Sequence, residues 1–141
     1  MFKFEWIVIL VGKVTVIENN LILVVDDSET MLMSLSESLT FEGFEVATAQ
    51  DGVVALAKLN DGLKPALIIT DMSMPNMDGI DFIKNVRAMV NLRFIPIIAF
   101  TTATRKDLRE QSKQAGATAW LVKPTPIKEL VDIINTLLQK K

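Results

Sequence analysis

Between Leu21 and Leu138 the chain alternates five times between short apolar runs and stretches of helical periodicity. The runs are Leu21–Val25, Phe44–Ala49, Ala66–Thr70, Ile95–Phe100 and Thr118–Val122. Most are continuous rather than alternating, which suits strands buried on both faces; Phe44–Ala49 alternates, as an outer strand would. After the first run, Asp26-Asp27-Ser28 can cap a helix in which Met31, Leu32, Leu35 and Leu39 recur at helical spacing, closed by Gly43. Asp51-Gly52 opens a second helix with Val53, Leu56 and Ala57 inward, ended by Asn60-Asp61-Gly62. Ile80, Ile83, Val86 and Val90 mark a third. A fourth, over residues 104–115, has Leu108 as its only large apolar residue, so it is the least anchored and should be the most mobile. Thr125 as N-cap and Pro126 at the first helical position begin a fifth, with Ile127, Leu130, Val131, Ile134, Leu137 and Leu138 as its buried stripe. Strand and helix in this alternation predict an α/β fold: a doubly wound, five-stranded parallel sheet with helices on both faces. In such a sheet, function gathers at the carboxyl ends of the strands.

With 141 residues the chain is long enough for one domain with a full core and short for two. A net charge of -2 provides no bulk attraction to nucleic acid or to an anionic membrane. There is no cysteine, hence no disulfide framework or thiolate metal site, which fits a reducing compartment. There is no histidine, which excludes Ser-His-Asp and Cys-His catalysis, His-ligated zinc and a phosphohistidine carrier. Chemistry is left to Asp, Glu, Lys, Ser and Thr, a set suited to hard cations and phosphoryl groups.

Residues 1–20 stand apart. Phe2 to Val11 is strongly apolar, but its uninterrupted run, Trp6 to Val11, is far short of the ~20 residues a membrane helix needs. No small-residue cleavage pattern follows, as a signal peptide would require. Gly12-Lys13 lacks both the Gly five positions earlier and the following Ser or Thr of a phosphate-binding loop. The β-branched content predicts a strand pair turning at Gly12-Lys13, which, if ordered, is covered or pairs with another chain.

Four of the five predicted strands end in a residue able to do chemistry: Asp26 and Asp27 after the first, Asp71 after the third, Thr101 after the fourth and Lys123 after the fifth. A parallel sheet brings all of these ends to one edge. Three carboxylates there repel, by roughly 4 kcal/mol per pair at ~4 Å and an effective dielectric near 20. They stay ionised together when a small hard cation such as Mg²⁺ compensates them. With Lys123 adding a point charge, the site could neutralise an incoming phosphoryl group, with Asp71 as nucleophile and the Thr101 hydroxyl donating to a phosphoryl oxygen. Each residue alone has an ordinary reading as cap, turn or loop residue; their shared position at strand ends favours the joint one.

Leu23-Val24-Val25-Asp26-Asp27-Ser28, Asp71-Met72-Ser73-Met74-Pro75-Asn76-Met77-Asp78-Gly79, Pro96-Ile97-Ile98-Ala99-Phe100-Thr101, and Ala115-Gly116-Ala117 through Lys123-Pro124 closely resemble the motifs of receiver domains in two-component signalling. The resemblance covers residues 21–141 and is greatest to the stand-alone chemotaxis (CheY-like) response regulators. It implies a flavodoxin-like sheet of order 2-1-3-4-5, with residues 1–20 as an extension of unknown role. It also implies Asp71 as phosphoacceptor, Asp27 binding Mg²⁺ directly, Asp26 mainly through water, and the backbone carbonyl of Ser73 as a further ligand. Lys123 would pair with the carboxylate and then the phosphoryl group, ahead of a cis bond to Pro124. Thr101 and the aromatic residue of the fifth strand would turn inward on activation. That residue is Trp120 here, where Tyr or Phe is more familiar, and the larger indole is harder to accommodate. By the same resemblance, Thr102 stands where a small Ala is common and would crowd the site mouth, whereas small Ser73 and Ala103 would leave water access to the phosphoryl group.

The resulting expectation is a cytoplasmic switch, not an enzyme acting on other molecules. It would be phosphorylated on Asp71 by a sensor histidine kinase and signal through altered protein–protein binding on the face around residues 104–115. The expected targets are a flagellar motor switch, a downstream phosphotransfer protein or a kinase for which the chain is a phosphate sink, in chemotaxis or a related pathway. No output domain follows Lys141 in the sequence, and neither nucleic-acid binding nor membrane insertion is expected. The alternatives are a phosphohydrolase of the haloacid dehalogenase type, which wants a second Asp where Ser73 stands, and a structural module that is never phosphorylated.

Overall fold

The computed structural model describes residues 4–10 and 13–139, with side chains from Asn19 to Gln139. Strands β1 (Phe4–Leu10) and β2 (Lys13–Glu18) form an antiparallel pair in which Leu10 is opposite Lys13. This is the strand pair expected from the β-branched content; Gly12, half of the expected turn, lies outside the described residues.

The second sheet is built from β3 (Leu21–Val25), β4 (Glu45–Ala49), β5 (Leu67–Thr70), β6 (Ile97–Thr101) and β7 (Ala119–Val122). Its order is β4-β3-β5-β6-β7 and every pairing is parallel. Counted from β3, this is the flavodoxin-like order 2-1-3-4-5, with β4 on the edge. The helices are α1 (Glu29–Phe41), α2 (Gly52–Asn60), α3 (Gly79–Ala88), α4 (Lys106–Ala115) and α5 (Ile127–Leu137).

The twofold alternation of strand side chains sorts the core into two layers. Leu23, Val25, Ile68, Ile97 and Ala99 face a layer completed by Ala55, Leu59, Phe82, Ile83, Val86 and Ala115, from α2, α3 and α4. Ile22, Val24, Leu67, Ile69, Ile98 and Phe100 face the other, completed by Leu32, Leu35 and Leu39 of α1 and Leu130, Val131 and Ile134 of α5. Full burial of a side chain such as Phe82 or Ile134 contributes about 1.5–3 kcal/mol.

Three expected helix faces need correction. In α2 the inward residues are Gly52, Ala55 and Leu59, with Leu56 packed beside them; Val53 is 48% exposed and Ala57 is exposed. The helix begins on Asp51, which turns Val53 and Val54 outward. In α3 Phe82 joins Ile83 and Val86 as fully buried, and Val90 is 76% exposed because the helix ends at Ala88 and a short 3-10 turn, Val90–Leu92, buries Leu92 instead. At the start of α5, Pro126 occupies the N-cap and Thr125 does not cap the helix: its hydroxyl donates to the Val122 carbonyl at 2.9 Å.

Helix α4 is fastened unequally. Its N-cap is Arg105, with no side-chain cap bond, and the Arg105–Asp107 pair is too exposed to add much stability. Leu108 packs from the side, and the buried Ser112 and Ala115 are the small inward residues that let the helix approach the sheet. Its other end is held by Arg87 of α3. That guanidinium donates to the carbonyls of Gly116 (3.0 and 2.8 Å), Leu92 (3.2 Å), Arg93 (3.1 Å) and Ile95 (2.7 Å). Partial burial lowers its basicity, and these carbonyls stand in for the water it has lost. Gly116, at φ 119°, ends α4 in the left-handed region, and a Cβ there would meet Arg87 Cγ at 2.8 Å. Arg87→Met keeps most of the stem but leaves these carbonyls without their donor. It is expected to lower the unfolding free energy by about 1.5–3 kcal/mol, read as a lower urea midpoint at unchanged slope.

Candidate functional site

The carboxyl edge of the five-stranded sheet gathers the residues that the sequence singles out. The Asp26 amide donates to the Ala49 carbonyl at 3.1 Å and the Asp71 amide to the Val25 carbonyl at 2.9 Å, so the first residue after β3 and that after β5 are still zipped to their neighbours. The Lys123 amide likewise donates to the Thr101 carbonyl at 2.9 Å. Backbone pairing thus fixes where each functional side chain begins.

Ligand oxygens of Asp26, Asp27 and Asp71 all lie within 4.8 Å of one another. Asp26 is 3% exposed; one carboxylate oxygen accepts from the Ser28 amide at 2.9 Å and the other from Lys123 Nζ at 2.5 Å. Asp27 is exposed, and Ser28 caps α1 by accepting from the Met31 amide at 3.2 Å. Asp71 is half-buried, with one oxygen accepting from the Met72 amide at 2.7 Å and the other 3.5 Å from Lys123 Nζ. Lys123 bridges two of the acids, and its shorter bond goes to Asp26, the more buried one. Its ammonium also lies 5.6 Å from the Phe100 ring centroid, and its peptide bond to Pro124 is cis, as the resemblance implied.

One ammonium against three carboxylates leaves two negative charges uncompensated at this edge. The donor set is oxygen only, and two of its members retain open positions, Asp27 in solvent and Asp71 partly so. That chemistry fits a small, hard divalent cation. Ser73 is exposed on the loop after Met72, and its carbonyl accepts no hydrogen bond among the described residues.

Thr101 is 1% exposed, and its hydroxyl oxygen accepts from the Ala103 amide at 3.2 Å. Trp120 pairs with Ala99, is half-buried and packs beside the α2–α3–α4 layer. Thr102 is exposed and Ala103 half-buried at the site mouth. The edge therefore brings together Asp26, Asp27, Asp71, Thr101 and Lys123, with Trp120 two residues upstream of the strand end.

Sequence reading assigned no individual role at the site to three contributors. Phe100 supplies an aromatic face under the Lys123 ammonium. Asp51, read only as a helix start, caps α2 through the Val54 amide (2.8 Å) and also accepts from the Asn76 side chain (2.8 Å) on the loop after Asp71. The Val54 bond first, and Asn76 second, hold its carboxyl below the ordinary value of 3.8. Third, Gly79 closes that loop by donating to the Met72 carbonyl at 2.9 Å. A Cβ at Gly79 would collide with the Asp71 carbonyl oxygen and the end of the Met72 side chain, and would lie 2.7 Å from Met72 Cα. Asp51 directly before Gly52, and the Gly eight residues after Asp71, are the local signals for the last two.

Residues 22–135 match the family described as the response regulator receiver domain. The transcriptional regulatory protein PrrA of Mycobacterium tuberculosis is 38% identical over 120 residues, 85% of this chain and 50% of PrrA. The chemotaxis protein CheY1 of Helicobacter pylori is 39% identical over 117 residues, 80% of this chain and 94% of CheY1. Among solved structures, the Vibrio cholerae chemotaxis protein CheY4 superposes with a TM-score of 0.80 at 38% identity, covering 84% of this chain and 98% of CheY4. The chain thus spans about half the length of PrrA and nearly the whole length of the two chemotaxis proteins.

Two outcomes test this geometry. Gly79→Ala must push against the backbone of Asp71 and Met72; it is expected to lower stability by about 1–3 kcal/mol, read in urea, and to weaken Mg²⁺ binding, read by calorimetry. The depressed Asp51 carboxyl adds stability that is complete above 3.8 and is lost as pH falls through its lower folded value. The urea-midpoint advantage of the native chain over Asp51→Asn is therefore expected to be full at neutral pH and to shrink below 3.8.

Proposed function

Because the chain belongs to the response regulator receiver domain family, we propose that Asp71 is the phosphoacceptor of a two-component signalling switch. The observation that carries this is the convergence of Asp26, Asp27 and Asp71 within 4.8 Å, bridged by Lys123, on the carboxyl edge of the sheet. A sensor histidine kinase supplies the phosphoryl group. An Asp71 oxygen attacks phosphorus in line, the bond to the kinase's imidazole nitrogen breaks, and that nitrogen keeps the electron pair. Asp27, Asp71 and the Ser73 carbonyl would hold Mg²⁺, with Asp26 acting through water; the ion would neutralise charge on the transferring oxygens. Lys123 passes from its carboxylate contacts toward a phosphoryl oxygen, and the Thr101 hydroxyl leaves the Ala103 amide to donate to another. Water later hydrolyses the acyl phosphate, with small side chains at Ser73 and Ala103 leaving room for its approach. The chain is a signalling switch of the receiver type, and this self-limited transfer and hydrolysis is its only chemistry.

The added charge of roughly -1.5 to -2 is read out through Thr101, Trp120 and α4. The uncapped start of α4 is the element best placed to move, and α4, β7 and α5 form the face offered to a downstream protein. The near full-length likeness to CheY1 and CheY4 supports output in chemotaxis or a related pathway, through a motor switch or phosphotransfer protein. Residues 21–141 form the receiver domain and residues 1–20 an extension. Among the described residues no helix is long and apolar enough to cross a membrane, in keeping with a cytoplasmic setting. The phosphohydrolase alternative gains nothing from position 73, where Ser stands in place of the required second Asp.

The test uses a small acyl phosphate as donor. With Mg²⁺, intact mass is expected to rise by one phosphoryl group, and Trp120 fluorescence, read in a Trp6→Phe background, to change. Both responses should vanish in Asp71→Asn; their persistence would sink the proposal, and sustained turnover of a phosphatase substrate would favour the hydrolase.

A further inference from the structure

The loop from Met72 to Gly79 carries Ser73 beside Asp71 and is closed at its base by the Gly79 amide on the Met72 carbonyl. Above that base, the only described backbone bond among residues 73–78 is Met77 to the Pro75 carbonyl, at 2.7 Å. A crown so sparsely bonded to itself takes its position from what it touches.

What it touches is the first turn of α2. Asn76, at φ 68°, sits in the left-handed region and aims its amide at the second carboxylate oxygen of Asp51, 2.8 Å away. The first oxygen of Asp51 is committed to the Val54 amide, so one 7% exposed carboxylate both starts a helix and tethers the loop. Next to it, Met77 lies over Gly52: a Cβ at Gly52 would meet Met77 Sδ at 2.9 Å and Cγ at 3.0 Å. Absence of a side chain at Gly52 is what lets the crown come down onto the helix. Asp51 follows β4, whose last carbonyl, at Ala49, receives the Asp26 amide. The tether is therefore referenced to the strand that also positions the acids.

We propose that Asp51 and Asn76 are positioning residues: they clamp the crown of the Asp71 loop to α2 and so set where the Ser73 carbonyl stands relative to Asp27 and Asp71 for a divalent cation. This rests on the phosphoacceptor reading of the site. Neither residue touches the reacting atoms, and their effect is on the geometry of the oxygen donors. A carbonyl on a loosened loop samples many positions, and the ion must then fix it at the expense of affinity.

The experiment titrates the full chain with Mg²⁺ by calorimetry, with unfolding temperature and phosphoryl gain from a small acyl phosphate measured alongside. Asn76→Gly keeps the left-handed backbone and removes the amide. Asp51→Ser keeps a cap for Val54 and leaves no second oxygen for Asn76. Both are expected to weaken Mg²⁺ binding about tenfold, as loss of an outer-shell support does, and to raise the Mg²⁺ needed for phosphoryl gain in parallel. Asp51→Asn accepts from Val54 and can bond Asn76 once that amide turns over, so it is expected to restore the native affinity. If the native chain binds Mg²⁺ and gains a phosphoryl group but Asn76→Gly and Asp51→Ser bind the ion equally well, the clamp is overturned while the site reading stands. Weakening in Asp51→Asn to the same degree would place the effect in charge and also overturn it. If the native chain neither binds the ion nor gains a phosphoryl group, the reading of the site falls and the clamp falls with it.

Discussion

Mutual repulsion of Asp26, Asp27 and Asp71 is the interaction on which the rest of this structure turns. Three carboxylates with oxygens inside 4.8 Å are tolerable only because Lys123 reaches across from another strand and because two of the acids retain contact with solvent. The sheet supplies that arrangement cheaply in sequence terms. Each functional side chain follows an apolar run, and the parallel ladder carries all of the run ends to one edge. Burial of both faces by helices makes the ladder stiff enough to hold like charges together. The site is thus a stressed edge on a well-packed sheet, two positive charges short of neutrality. A divalent cation or a change in charge on Asp71 acts directly on that imbalance.

Much of this was legible from residue pattern. Continuous apolar runs separated by helical periodicity correctly indicated strands, helices and their alternation, because a sheet covered on both faces leaves no polar alternation to confuse the reading. The strand-end acids, Thr101 and Lys123 were visible for the same reason: each lies at the end of an apolar run or directly after it. What could not be read was set by tertiary neighbours. Val53 and Val90 look like core residues by type, but the actual start of α2 and end of α3 turn them outward. Thr125 has the composition of a cap, yet its hydroxyl has a nearer partner in the Val122 carbonyl. Strand order came from family resemblance, since period and spacing say that strands are parallel but not which lie side by side.

Asp51 shows why contributors outside the motif are hard to see. Its identity as a helix start is local and was readable; its bond to Asn76 spans 25 residues and depends on a left-handed backbone at position 76. Gly52 and Gly79 belong with it. Both matter for what a side chain would strike, Met77 in one case and the Asp71 carbonyl in the other. The loop that follows Asp71 is therefore shaped from beneath by Gly79 and from the side by α2, so that its geometry is shared among elements far apart in the chain.

The fastening of α4 gives it the mechanics of a lever. Arg87 holds the Gly116 end against α3, whereas the Arg105 end, four residues after Thr101, has no side-chain cap bond. A helix of 10 residues is about 15 Å long, so a tilt of about ten degrees about its pinned end carries the free end roughly 2.5 Å. A displacement of that size would be greatest at the start of the helix and would die away toward Arg87. Such a tilt would change most the strip of surface nearest Asp71 and least the surface near Gly116.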